Sequence, residues 1–309
     1  MKPRVAITLG CPCGIGPEIT RAALSNRAVT RALTPIAFGD ASLATKWKHG
    51  EFRSVSSLTA LERKPGRPST AAGRAQFEYL QSAIGFLQRG QGDALCTAPV
   101  SKEWINRAGI PFVGHTEVLA AAFGVDVLML MVGPRLSVAL ATNHLAISKV
   151  PRALKAGKLV EQLQMLHREL NGPRIAVCGL NPHASDGGKF GSEEKRVIGP
   201  AIARARKLGV NCEGPFAADG LFATAAKGFR FDVALAMFHD QGLVATKTLD
   251  FEKTVNVTLG LPVPRTSPDH GTAYDIAGRG IADETPMVEA LLMAAERALC
   301  LKSKAKSNS

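Results

Sequence analysis

Short apolar runs alternate along this chain with longer stretches in which large apolar residues return every three or four positions. The runs at 5–9, 94–97, 127–132, 138–142, 174–179 and 233–237 predict buried strands. Between them, 72–88 places Phe77, Leu80, Ile84 and Leu87 on one helical face, and 117–123, 153–170, 193–208 and 286–301 also predict helices. Apolar strands separated by amphipathic helices predict a mostly parallel sheet covered on both faces. The Pro-rich, basic stretch 63–69 reads as a surface loop, and no internal repeat or separating linker is evident.

Composition narrows the classes. With 309 residues, 46% hydrophobic and 21% charged, the chain can bury one large core or two smaller ones. No apolar run reaches the roughly 18 residues of a membrane span. The apolar stretch 5–9 is too short for a signal peptide and is broken by Gly10 and Pro12. Six scattered cysteines form no disulfide framework, which fits a reducing, cytoplasmic setting. The net charge of +12 admits a nucleic-acid partner or anionic small molecules. Aromatics are only 6% and do not interleave with basic residues, so base-stacking platforms are not expected and the anionic small molecule is preferred. The basic tail 302–309 is expected to be disordered.

Candidate chemistry concentrates late in the chain. Phe238-His239-Asp240-Gln241-Gly242 follows the 233–237 strand, and Lys247, Asn256, Arg265 and Asp269-His270-Gly271-Thr272-Ala273 come after it. Ligands gather at the carboxyl ends of strands in open α/β sheets, which marks this run as the centre of an active site. Earlier, the glycine-rich 9–18 follows the first strand but lacks the spacing of a dinucleotide fingerprint or P-loop. It reads either as a tight strand-to-helix turn or as backbone approaching a ligand. Cys11-x-Cys13 alone is too little for a tetrahedral metal site. Thr97 follows a short strand, Lys102 offers a point charge to an anionic ligand, and Gly114-His115-Thr116-Glu117 opens a helix whose N-terminus can receive an anion, although capping explains that group equally well. His144, His183 and His239 each follow a different strand, so they can converge on one divalent metal or serve as separate hydrogen-bonded groups.

These motifs resemble the 4-hydroxythreonine-4-phosphate dehydrogenase family. The likeness runs through Gly14-Ile15-Gly16-Pro17-Glu18, Ala108-Gly109-Ile110-Pro111, 114–117, Gly179-Leu180-Asn181-Pro182-His183-Ala184, 238–242, 256–262 and 269–273. The stretch 269–283 is also similar to the cofactor loop of isopropylmalate and isocitrate dehydrogenases. The resemblance implies a three-layer α/β/α fold of that type, with two subdomains around a cleft. Approximate bounds are 1–125 plus 265–301 for one subdomain and 126–264 for the other. It further implies a cytoplasmic homodimer with a shared active site. His144, His183 and His239 fall on divalent-metal ligands (zinc, magnesium or cobalt). His115, Thr116, Lys247, Asn256 and Arg265 fall on substrate positions, and His270, Gly271, Thr272, Ala273 and Asp283 on cofactor positions. Asp219 matches an acidic residue near the metal. Where the family usually has an acidic residue and Pro-Ala, this chain has Cys11-Pro12-Cys13.

The implied reaction is oxidation of 4-phosphooxy-L-threonine with NAD, or NADP. The product, 2-amino-3-oxo-4-phosphooxybutanoate, decarboxylates to 3-amino-2-oxopropyl phosphate during pyridoxal 5'-phosphate synthesis. A metal would polarise the alcohol, and Asp219 or Lys247 would take its proton. Related dehydrogenases of four-carbon sugar-acid phosphates or cis-dihydrodiol carboxylates are the alternatives, the latter disfavoured because 114–117 is present. A basic binding protein without catalysis is the reading from another class.

Overall fold

The computed structural model describes residues 1–225 and 231–307. The chain folds as two compact units. The first comprises Met1–Val125, Val255–Val257 and Leu261–Ser309, and the second Asp126–Thr254 and Thr258–Gly260. The strand Val255–Leu259 contributes residues to both units.

In the first unit, β1 (Arg4–Thr8), β2 (Thr34–Asp40), β3 (Glu51–Ser56), β4 (Ala94–Thr97) and β11 (Arg265–Pro268) lie in the order β3-β2-β1-β4-β11, every pair parallel. Four of the five β1 residues and all of β4 are buried, as expected for strands covered on both faces. The helix Thr70–Gln88 starts at the Ser69 cap, whose hydroxyl accepts from the Ala72 amide, and buries Tyr79, Leu80, Ile84 and Leu87. In the second unit, β5 (Leu128–Val132), β6 (Ser137–Leu140), β7 (Ile175–Cys178), β8 (Cys212–Phe216) and β9 (Val233–Ala236) are ordered β5-β6-β9-β7-β8. Only the β5/β6 pairing is antiparallel there. The remaining strand is β10 (Val255–Leu259).

Several expected elements come out differently. The helix over 153–170 is two, Val150–Ala153 and Ala156–Glu169, because Leu154 turns inward with extended backbone between them. The helix over 193–208 opens with a wide π turn at Glu194–Ile198 before Gly199–Lys207. Pro200 has no N–H to give to the preceding turn, and Gly199 donates to the Glu194 carbonyl instead. The last helix, Thr285–Ser307, continues through the tail expected to be disordered. Lys302 reaches Asp93 at 2.8 Å, while residues 308–309 lie outside the described residues. No described helix is long and apolar enough to cross a membrane.

Candidate active site

The expected residues divide between the two units. In the first unit, Arg265 opens β11 and is 3% exposed, beside β4. Its Nη2 donates to Thr97 Oγ1 at 2.6 Å. Burial pushes the guanidinium down to about 10, so it keeps its charge at neutral pH. His115 begins the nine-residue helix His115–Phe123, with its ring edge-on to Phe112 at 5.8 Å. Desolvation, then the charges of Arg265 and Lys102, hold His115 well below the usual 6.5, so the imidazole is neutral. Its Nε2 is buried without a hydrogen bond, as is Asn256 Oδ1. Buried polar atoms seldom lack partners, and such atoms beside a buried cation suit a polar ligand. Thr116 is buried in the same first turn. A side chain at Gly114 would crowd Glu117 Oε2 at 2.7 Å and approach Lys102 Nζ at 3.6 Å, so glycine keeps the helix entrance open.

The segment 269–283 is irregular, joining β11 to the helix Thr285–Ser307. Ala273, Gly278 and Gly280 have positive φ. Thr272 accepts the Ile15 amide at 3.0 Å, which ties this loop to the glycine-rich turn. His270 Nδ1 contacts the Gly271 carbonyl, whereas its Nε2 is buried with no partner, a fit for a ligand's polar group. Asp283 Oδ1 accepts the Thr285 amide at 2.9 Å, so its visible work is to cap the last helix.

In the second unit, His144, His183 and His239 follow β6, β7 and β9, three neighbouring parallel strands. The strand ends are fastened by polar side chains. Thr142 Oγ1 donates to the Met237 carbonyl at 2.7 Å, Gln241 accepts the Met237 amide, and Gln241 Nε2 donates to the Gly179 carbonyl at 2.8 Å. Buried Glu194 accepts the Leu180 and Asn181 amides and so holds the His183 loop. The His144 and His239 rings stand 5.6 Å apart, and His239 Nδ1 pairs with Asp240 at 2.7 Å, leaving Nε2 for another partner. His183 is exposed on a run of left-handed residues, 183–187, with its ring 6.4 Å from Phe190. Among the described residues, no three His, Cys, Asp or Glu side chains form a group ready to hold a metal. The donor chemistry and the strand-end placement suit a borderline divalent cation, but His183 is not drawn into one group with the other two. Asp219 lies exposed in the first turn of the helix Ala218–Ala225. Lys247 is half-buried, its Nζ 5.9 Å from the Phe251 ring centre.

The sequence placed Thr97 after a short strand and Gln241 within the 238–242 motif, but gave neither a partner. Their partners lie 168 and 62 residues away, so no local spacing could reveal them. Thr142, Gln162 and Glu194 were not singled out. Their only signal is an amide, hydroxyl or carboxylate on an otherwise apolar helical or strand pattern; Gln162, for example, is buried and donates to the Ala141 carbonyl.

A buried arginine beside a neutral imidazole and a helix N-terminus, in a parallel-stranded α/β framework, suits a small anionic ligand. Similarity to known proteins makes this specific. Residues 18–294 match the family described as pyridoxal phosphate biosynthetic protein PdxA. The chain is 42% identical to a 4-hydroxythreonine-4-phosphate dehydrogenase of Geobacter metallireducens, covering 96% of each protein. It is 38% identical to a D-threonate 4-phosphate dehydrogenase of Cupriavidus necator, covering 96% of this chain and 97% of that one. A solved 4-hydroxythreonine-4-phosphate dehydrogenase from Burkholderia phymatum gives a TM-score of 0.78 at 37% identity, covering 96% and 98%. A β-decarboxylating dehydrogenase from Thermococcus kodakarensis, 16% identical with a TM-score of 0.52, shares the α/β fold alone. This chain belongs to the PdxA family, oxidoreductases of pyridoxal phosphate biosynthesis.

Proposed function

We propose that this chain oxidises 4-phosphooxy-L-threonine with NAD, or NADP, to 2-amino-3-oxo-4-phosphooxybutanoate. That β-keto acid then loses carbon dioxide to give 3-amino-2-oxopropyl phosphate, because the ketone accepts the electrons of the breaking bond. The observation that carries the reading is the buried Arg265–Thr97 contact with neutral His115 beside it, in a chain of the PdxA family.

Arg265 would take the substrate phosphate through its guanidinium fork, already oriented by Thr97. His115, neutral, would donate one hydrogen bond to the phosphate without adding a second buried charge. Thr116 and the first-turn amides of its helix, with Asn256, would fill the remaining acceptor and donor positions. Lys247 would add a mobile point charge. Bound at His144, His183 and His239, a zinc, magnesium or cobalt ion would lower the pKa of the substrate hydroxyl, and NAD, held by His270, Gly271, Thr272, Ala273 and Asp283, would accept the hydride. Asp219 or Lys247 would receive the hydroxyl proton, directly or through water. The cytoplasmic homodimer with a shared site belongs to the same proposal and rests on the family resemblance.

A second reading is oxidation of D-threonate 4-phosphate, the substrate named for the Cupriavidus necator relative. The two substrates share the phosphate that Arg265 would hold and differ at C2, amino against hydroxyl. The deciding experiment measures reduction of NAD with each substrate, before and after chelation and with zinc or magnesium restored. The expected result is chelator-sensitive turnover with kcat/KM at least about tenfold higher for the threonine phosphate. The reverse ratio would transfer the assignment to the threonate. Absence of dinucleotide binding would overturn both.

A further inference from the structure

The glycine-rich turn carries a pair of thiols with no part in the proposed chemistry. Cys11 and Cys13 are both fully buried and flank Pro12. The Gly14 amide donates to the Cys11 carbonyl at 3.0 Å, closing a turn over Cys11–Gly14 with Pro12 at its second position. Such a turn brings its first and third Cα atoms to about the 5.5–6 Å that a disulfide favours. The two side chains lie in one buried cluster with Ala72, against which Tyr274 packs. Cys11 Sγ also lies 3.3 Å from the Tyr274 hydroxyl, and Cys13 Sγ donates to the Glu62 carbonyl. As inert core residues, they would need only the volume of a small apolar side chain and no mutual contact. Here the contacts favour thiolate on one sulfur: Cys11 is lowered to about 7, chiefly by the proton that Cys13 shares with it, while Cys13 is raised by the same bond. Cys96 and Cys178, by contrast, are pushed up to about 12 by burial alone or nearly so.

We propose that Cys11 and Cys13 are a reversible redox site, closing to a disulfide under a peroxide and thereby loosening the 270–274 loop. The Cys11 thiolate attacks one peroxide oxygen, giving a sulfenic acid and releasing water once a proton is taken up. The Cys13 sulfur then displaces the sulfenic oxygen as a second water. Two thiols and one hydrogen peroxide thus give one disulfide and two waters. Their chain neighbours Pro12 and Gly14 line a cavity of 190 Å³ together with Arg63, Pro65 and Gly278, so a peroxide reaches the turn and a local opening brings it to the thiols. The consequence follows from three contacts. Closing the bond takes Cys11 Sγ from Tyr274, and the same turn is attached to the loop by the Ile15 amide on Thr272 and by Gly14, where a Cβ would stand 2.8 Å from the Thr272 carbonyl. An effect on dinucleotide binding rests on the cofactor assignment made above, but the disulfide does not.

The test uses the full chain, reduced, then exposed to hydrogen peroxide, alkylated after denaturation and digested with trypsin. Cys11 and Cys13 fall together in the peptide 5–21. We expect that peptide to lose two hydrogens, carry no alkyl group and recover both thiols with dithiothreitol, while Cys96 and Cys178 stay alkylatable. Cys13→Ser is expected to stop at a sulfenic acid that dimedone traps on Cys11. Two alkylated cysteines in the treated wild-type peptide, or Cys11 joined to another peptide, would overturn the site whether or not the variant folds. Amide exchange at Ile15 and across 270–276 is expected to quicken at least about tenfold on oxidation, and unchanged exchange would overturn the coupling to the loop. If the reduced protein binds no dinucleotide, the cofactor reading fails while the peptide result stands.

Discussion

Arg265 shows how much one residue depends on its surroundings. In the sequence it is one of 38 Lys and Arg residues; in the fold it is 3% exposed and bonded to Thr97. Arg265→Lys keeps a charge but loses the planar fork, so kcat/KM for the phosphorylated substrate is expected to fall by about 10- to 100-fold, mostly through KM. Steady-state kinetics checks this, and an unchanged KM would remove Arg265 from the phosphate. His115 makes a pH prediction. Its folded pKa lies below the ordinary 6.5, so as pH falls beneath about 6.5 the unfolded chain takes up the proton first. Native stability is therefore lost from about pH 6.5 downward through the folded pKa. His115→Gln is expected to lessen the drop in urea midpoint between about pH 7.5 and 5.5; equal drops in both proteins would show that His115 does not contribute. His115 was legible as the start of a helix, whereas Arg265 opens a strand the sequence did not reveal and was singled out by the family resemblance. Their charge states were not legible, because desolvation and neighbouring charges come from distant segments.

At the scale of elements, the runs with strong periodicity were read correctly in kind: β1, β4, β5, β6, β7 and β9, and the helix Thr70–Gln88. Missed were β2, β3, β8, β10 and β11. Of these, β3 and β8 each end the strand order of their unit, where fewer apolar residues are needed. β3 reads Glu-Phe-Arg-Ser-Val-Ser, with no fully buried position, and β8 contains Gly214-Pro215, which an edge tolerates. β11 is polar in sequence, Arg-Thr-Ser-Pro, yet wholly buried. Its Thr266 hydroxyl donates to the Ala290 carbonyl and Arg265 Nη2 donates to Thr97, so partners elsewhere replace apolar character. Packing between elements also makes a prediction at Gly73. A Cβ there would collide with the Trp104 carbonyl, so Thr70–Gln88 and Lys102–Arg107 approach each other only through glycine. Gly73→Ala is expected to destabilise the protein by about 1–3 kcal/mol, outweighing its gain in helix propensity. Chemical denaturation measures it, and a stabilised variant would show that the helices separate at little cost.

For the whole molecule, a net charge of +12 should act on an anionic substrate before contact. Raising ionic strength from about 20 to 200 mM is expected to lower kcat/KM by about threefold or more, by screening the approach. A flat salt profile would mean that only the local cluster matters. The sequence by itself determined the α/β class, the glycine-rich turn after the first strand and the residue types of the site. Those follow from periodicity and from chemistry local to a few residues. Tertiary structure alone decided which strand ends are fastened to one another, through Thr142, Gln241 and Glu194, and that Cys11 meets Tyr274 263 residues away. It also decided that Arg265 is buried and His115 neutral. Burial and long-range hydrogen bonds are set by which surfaces exclude water together, and no short window of sequence contains both partners.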